Sequence, residues 1–179
     1  MLGGAAYDPG VTTSPLLTPL AAGVLHVGDP ERILQVACGD GEGALFLARE
    51  FPSARVRGID RDGDAVREAT NRVGLDPEGR VAFKQGGPRS LPFPDGYFDL
   101  LAAVDARPRP AEAVRVLRPG GFLALASTRA AETPPGFRGR LVRRHLARLG
   151  FEPIWAQPAG DGSFFVARLR SDDPVSPSL

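Results

Sequence analysis

Lys84 is the only lysine in this chain, so its basic charge is almost wholly arginine, and of 179 residues one is cysteine and two are histidine. A lone Cys38 cannot close an internal disulfide. With histidine only at His26 and His145, no Cys/His cluster is spaced to hold zinc, so no metal is expected. No run approaches the roughly 18 consecutive apolar residues that a membrane-spanning helix needs. The first residues also lack the basic stretch and long apolar run of a secretory leader. These absences predict a reduced, cytoplasmic protein with no membrane contact. Charge of one sign is scarce as well: 22 basic against 21 acidic residues leave a net +1, which calls for neither nucleic acid nor an anionic surface. Hydrophobic residues at 42% and charged residues at 24% are those of a globular chain rather than a disordered one. The length suits one domain.

What is present is an alternation of short β-rich runs with helical stretches, the pattern of a mostly parallel sheet with helices on both faces. Residues 1–12 are glycine-rich and expected to be flexible, residues 13–170 to form the single domain, and Ser171–Leu179 to be a disordered polar tail. The apolar spacing of Leu16, Leu17, Leu20, Val24 and Leu25 predicts a leading helix over Ser14–Val27. Strands are predicted at Ile33–Ala37, Val56–Ile59, Val81–Gln85, Phe98–Val104 and Phe122–Ser127, the last introduced by a turn at Arg118–Gly121. Helices are predicted at Gly43–Glu50, Asp62–Val73, Pro110–Leu117 and Phe137–Leu149, with Gly74 and Gly150 as stops. Two final strands, Phe151–Ala156 and Ser163–Arg170, are joined by six residues. That join is too short for a crossover helix, so the two must pair antiparallel.

The informative stretch is Ile33-Leu34-Gln35-Val36-Ala37-Cys38-Gly39-Asp40-Gly41-Glu42-Gly43, a buried strand running into glycines and then a helix. Glycines there let the backbone turn tightly and let a ligand come nearer than a β-carbon would permit. The helix behind them offers free N–H groups and the positive end of its dipole, which suit a carboxylate or phosphate. Asp60 follows Gly39 by 21 residues, at the end of the next strand, where a carboxylate can accept both ribose hydroxyls of an adenosine. The pair points to a nucleotide-type cofactor without saying which. Gly39-x-Gly41-x-x-Ala44 also satisfies the relaxed dinucleotide pattern, so a nicotinamide-dependent oxidoreductase stays open at this point.

Two later features separate the alternatives. Leu91-Pro92-Phe93-Pro94-Asp95-Gly96-Tyr97-Phe98-Asp99-Leu100, followed by Val114-Arg115-Val116-Leu117-Arg118-Pro119-Gly120-Gly121-Phe122, resembles the second half of class I S-adenosylmethionine-dependent methyltransferases. Within that family it is similar to the small-molecule branch that reads "LPFPDGSFD…RVLKPGG". The closing antiparallel hairpin is also how that family's seven-stranded sheet ends, whereas a dinucleotide domain would finish on parallel strands. The resemblance covers Tyr7 to Leu169. It implies a doubly wound, mostly parallel Rossmann-like sheet, S-adenosylmethionine as cofactor, and a small or medium-sized methyl acceptor. It further implies cofactor contacts at Gln35, Ala37, Cys38, Gly39, Asp40 and Gly41, at Asp60 and Arg61, at Gly87 and Pro88, and at Val104.

Several positions depart from the family pattern. Gln35 stands where an acid is usual and Ala37 where the first glycine is usual. Gln35 can bond the loop backbone, but it brings no negative charge toward the cofactor's ammonium or sulfonium. Gly87 replaces the aspartate that accepts from the adenine amino group and leaves only backbone there. One charge-assisted hydrogen bond is worth about 1.5–3 kcal/mol, or about one to two decades of affinity. The segment Asp105–Leu117, with Arg107-Pro108-Arg109-Pro110, is shorter than its family counterpart, and its prolines limit a helix. That shortening implies an open pocket, a large acceptor, or a site out of use.

Methyl transfer from a sulfonium is an in-line displacement that positioning largely carries, and a base is needed only for a poor nucleophile such as a hydroxyl. Asp105, ending the fourth predicted strand, is the one candidate base, against the plainer reading of an aspartate capping the next turn. Tyr7 reads equally as part of a segment over the cofactor or as disordered tail. His26 reads as a helix-terminal side chain, His145 as part of a solvated face, and Cys38 as a packing residue with no base to activate it. Arg138, Arg140, Arg143, Arg144 and Arg148 fan over one side of a helix whose Phe137, Leu141, Leu146 and Leu149 face the sheet. With no aromatics between the arginines, this is a solvated face, and nucleic-acid binding is not expected. Methyl transfer ranks first, a binding or interaction module on the same fold without turnover second, and an oxidoreductase third.

Overall fold

The computed structural model describes residues 17–74, 76, 78–129 and 137–171. The expected flexible segment 1–12 and residues 172–179 of the expected tail lie outside them, as does Tyr7. One sheet of seven strands organises the described residues, in the order β3-β2-β1-β4-β5-β7-β6. Its members are β1 (Arg32–Val36), β2 (Arg55–Asp60), β3 (Val81–Gln85), β4 (Phe98–Val104), β5 (Leu117–Ser127), β6 (Phe151–Ala159) and β7 (Gly162–Leu169). β1 to β5 pair in parallel, and β7 runs antiparallel between β5 and β6. This is the expected doubly wound α/β sheet with its closing antiparallel pair.

Side-chain alternation along the strands builds two cores. Ile33, Val56, Leu100, Ala124 and Phe164 face helices α1 (Thr18–Val24) and α2 (Glu42–Glu50), meeting Leu20, Phe46 and Leu47. On the same side α3 (Gly63–Val73) rests on β2 and β3. Leu34, Val36, Ile59, Leu101 and Phe165 face the other way, against Ala113 and Val116 of α4 (Pro110–Val116) and Leu146 of α5 (Phe137–Arg148). β4 is buried at six of its seven positions, as its unbroken apolar run requires of a strand covered on both faces.

Three boundaries differ from expectation. α1 ends at Val24, so Leu25, expected to pack, is 79% exposed. Arg118–Gly121 does not precede β5 but bulges out of it. Phe98 pairs with Leu117 and Leu100 with Phe122, so four residues of β5 loop out opposite Asp99, with Gly120 at φ +78. The closing hairpin turns on Gly160 and Asp161 alone, since Gln157, Pro158 and Ala159 all pair with β7. Glycine at the first central position, φ +58, has the sign a type II′ turn demands.

The stretch from Leu91 to Asp99 acts as a clip. Arg115 donates to the carbonyls of Leu91 and Phe93 (both 2.8 Å) and pairs with Asp95 and Glu112. Asp99, 8% exposed, pairs with Arg118 and accepts the backbone N–H groups of Glu31 (2.8 Å) and Arg32 (2.7 Å), tying β4 to the start of β1. Strand order reverses between β1 and β4, and in open α/β sheets a ligand binds at the carboxyl ends beside such a reversal.

Candidate cofactor site

β1 and β2 lie in register, with Val36 opposite Ile59, so their carboxyl ends emerge side by side. The N–H of Cys38 donates to Ile59 O (3.0 Å), and the N–H of Gly39 donates to Asp60 Oδ2 (2.9 Å). The other carboxylate oxygen, Oδ1, accepts from Asp62 N–H (3.0 Å). Each Asp60 oxygen keeps a lone pair, which suits two vicinal hydroxyls. The two residues the sequence placed at opposite ends of one strand–helix–strand unit are therefore hydrogen-bonded.

The glycines of the turn have different tasks. A Cβ on Gly39 would meet nothing within 4 Å, so this is where a ligand can approach the backbone. A Cβ on Gly41, φ +85, would meet Phe83 Cζ at 2.8 Å and Ala69 Cβ at 2.9 Å. Gly41 is the N-cap of α2. Asp40 accepts Glu42 N–H (3.2 Å) and pairs with Arg72 of α3 (2.6 Å). Phe83 and Arg72 both shape the loop, and sequence reasoning passed over them. For Phe83 a signal existed, since its place in β3 puts it on the α3 side; for Arg72 there was none.

Both departures in the loop have structural consequences. Ala37, where a glycine is usual, adopts φ +56, a left-handed conformation that costs a residue with a β-carbon about 1–2 kcal/mol. Gln35 is 3% exposed and its Oε1 has no partner among the described residues. A Cβ on Gly43 would collide with the Gln35 amide, so the first turn of α2 is glycine to make room for it. Burial raises the Cys38 thiol to about 12, helped by the neighbouring Asp60 carboxylate, and keeps it a packing residue.

At the end of β3, Gly86 N–H donates to Asp60 O (2.8 Å), bringing Gly87 and Pro88 beside the ribose acid. Pro88 O accepts Arg109 N–H (2.8 Å), and Arg61 lies against Gly87. Val104, half-buried, ends β4 beside Ala126. Asp105 follows at φ +50. Its carboxylate accepts from Thr128 N–H (2.9 Å), Thr128 Oγ1 (2.6 Å) and Ser127 Oγ (3.3 Å). Burial pushes its pKa up, but these bonds and Arg129 outweigh it and leave the carboxyl below its ordinary value. Asp105 thus caps the end of β5 and is a weakened base. A recess of about 430 Å³ lined by Leu45, Ala48, Val73 and Val81 opens at the amino end of β3, away from these groups.

His26, read as a helix-terminal side chain, lies beyond the end of α1 at Val24. His26 stacks on Trp155 (4.8 Å) and Phe164 (5.5 Å). Arg143, Arg144, His145 and Arg148 are exposed while Leu146 is buried; the side chains of Arg138, Arg140, Phe137 and Leu141 lie outside the described ones.

The fit to S-adenosylmethionine rests on three observations: the open approach at Gly39, the free lone pairs on Asp60, and the N-terminus of α2. Comparison with known proteins agrees. Residues 33–121 match a family model described as a methyltransferase domain. A fatty-acid O-methyltransferase of Mycolicibacterium smegmatis is 38% identical over 134 residues, 69% of this chain and 47% of that one. The 27-O-demethylrifamycin SV methyltransferase of Amycolatopsis mediterranei is 34% identical over 135 residues, 71% of this chain and 49% of that one. The chain spans about half the length of these curated relatives. In fold, it is similar to an S-adenosylmethionine-dependent methyltransferase from Aquifex aeolicus, with TM-score 0.69, 20% identity, and coverage of 90% of this chain and 94% of that one.

Proposed function

The chain belongs to the class I S-adenosylmethionine-dependent methyltransferase family, and from that premise we propose that it transfers a methyl group from S-adenosylmethionine to a small or lipid-like acceptor. The observation that carries this reading is the hydrogen bond from Gly39 N–H to Asp60 (2.9 Å) at the reversal of strand order. It sets a ribose acceptor beside the one loop glycine that opens to free space. Asp60 would hold the ribose hydroxyls, and the backbone at Cys38–Gly41 with the start of α2 would hold the methionine carboxylate. When bound, the cofactor supplies an electrophilic methyl group on a sulfonium. Val104 and Asp105 end the strand across the reversal and border the acceptor side.

The Asp105 carboxylate already accepts three hydrogen bonds from Thr128 and Ser127 and is held below its ordinary pKa, which supports an acceptor that needs no proton removed. A carboxylate is such a nucleophile, and the fatty-acid specificity in the name of one relative supports the same choice. Cytoplasmic residence belongs to this proposal. No helix among the described residues is long and apolar enough to cross a membrane, and Cys38 is buried and free. The reading takes a small molecule as the partner rather than nucleic acid, in keeping with a net charge of only +1.

Titration calorimetry with S-adenosylhomocysteine should show saturable binding that Asp60→Ala abolishes, and labelled cofactor should mark a fatty acid. No heat at millimolar ligand would sink the proposal. The strained Ala37 and the Gln35 oxygen, which has no partner among the described residues, favour a second reading, a binding module without turnover. Label transfer to any acceptor would exclude it.

A further inference from the structure

The net charge of +1 is not shared evenly between the two sides of the sheet. On the side of α2 and α3 the signs are mixed. α2 holds Arg49 between Glu42 and Glu50, and on α3 Asp64 pairs with Arg67. The other side has no such balance. α5 contains no acidic residue, and Arg143, Arg144 and Arg148 are exposed around the buried Leu146. Asp95 of the clip and Glu112 of α4 both pair with Arg115.

The positive charge continues past the helices. No helix joins β3 to β4, so β2 and β3 are bare on this side. Arg57, which alternates with the inward Val56, and the exposed Lys84 border a hollow of about 250 Å³ there, with Ala82 and Phe93. Arg107 and Arg109 are exposed on the segment leading from β4 into α4. The N–H of Arg109 donates to Pro88 O (2.8 Å), so the positive side runs up to the lip of the cofactor site.

An extended surface of one sign attracts a polyanion. Single-stranded nucleic acid is held by stacking its bases on aromatic faces as well as by charge. Neither α4 nor residues 143–148 of α5 carries an aromatic side chain. An anionic lipid surface needs only positive charge near its plane, where each arginine is worth about fivefold in affinity. A lipid-like acceptor also resides in such a surface.

We propose that the α4–α5 side of the sheet docks on an anionic lipid surface, with Arg107 and Arg109 bringing the lip of the cofactor site to it. The docking is peripheral and electrostatic. The inference rests on the lipid-like acceptor of the methyl-transfer reading and adds the surface from which that acceptor is drawn.

Flotation of the full chain with vesicles tests it without cofactor or turnover. Vesicles of one part phosphatidylglycerol to two parts phosphatidylcholine should bind at least about tenfold more tightly than pure phosphatidylcholine, and added salt should release the protein. This comparison uses the wild type alone, so it stands even where a variant fails to fold. Arg143→Gln/Arg144→Gln/Arg148→Gln should weaken binding about thirtyfold or more, and Arg107→Gln/Arg109→Gln about tenfold. Arg49→Gln/Arg67→Gln, on the mixed side, should change it less than about twofold. Equal binding to both kinds of vesicle overturns the proposal, as does an equal loss from variants on the two sides. Tighter wild-type binding to RNA than to the anionic vesicles assigns this side to nucleic acid and overturns the lipid surface. Titration with S-adenosylhomocysteine keeps the two readings apart. Cofactor binding without vesicle binding overturns this proposal alone, whereas vesicle binding without cofactor binding supports the docking surface and overturns the methyl-transfer reading.

Discussion

Replacing Ala37 by glycine should make the protein more stable. Ala37 is held at φ +56, where a β-carbon crowds the following carbonyl at a cost of about 1–2 kcal/mol. Glycine removes that cost but gives the unfolded chain extra freedom, worth about 0.4–1 kcal/mol against folding. The net gain is about 0.5–1 kcal/mol, a rise of about 1–4 °C in Tm for a chain of this length. Two reciprocal changes calibrate the argument. Gly39→Ala, at φ +52 with nothing within 4 Å of the new Cβ, exacts the backbone cost alone and should destabilise by about 0.5–1 kcal/mol. Gly41→Ala, at φ +85, adds contacts of 2.8 Å to Phe83 and 2.9 Å to Ala69, and overpacking brings a further penalty of about 1–3 kcal/mol. Urea unfolding followed by circular dichroism without cofactor should order the midpoints Ala37→Gly, wild type, Gly39→Ala, Gly41→Ala. A midpoint for Ala37→Gly at or below the wild type refutes the strain at that residue. Equal losses at Gly39 and Gly41 refute the distinction between open and filled space.

The remaining predictions concern two titrating groups. Glu112 is lowered from 4.5 to about 2, chiefly by its hydrogen bonds from Arg115 and then by Leu91 N–H. Being depressed in the folded state, it contributes stability that is whole above about pH 4.5 and lost as pH falls through about 2. With solvent screening at the protein surface, the contribution is about 1 kcal/mol; Glu112→Gln should lose it at neutral pH and flatten the acid limb of stability, and an unchanged acid limb would contradict the assignment. Cys38, raised from 9.0 to about 12 by burial and then by Asp60, should have about a thousandfold less thiolate at pH 8 than a free thiol. Labelling with a disulfide reagent should be at least about a hundredfold slower in the native protein than in denaturant, and equal rates would show the thiol to be accessible and ionised.

The parts of the site that the sequence disclosed are those built by neighbours along the chain. A strand, a glycine turn, a helix and an acid at the next strand end form one unit, and parallel pairing of β1 with β2 leaves Gly39 and Asp60 no other arrangement. The parts that stayed hidden depend on which strands pair and in what register. Arg118-Pro119-Gly120-Gly121 has the chemistry of a turn, and turn residues serve equally to enter a strand or to bulge from one; only the pairing of Phe98 with Leu117 decides for the bulge. Pro158 read as loop, yet β6 is an edge strand, where a missing N–H costs no ladder bond. Asp105 read as a candidate base or a cap on the next turn, because Thr128, its partner, follows the end of β5 and is 23 residues away.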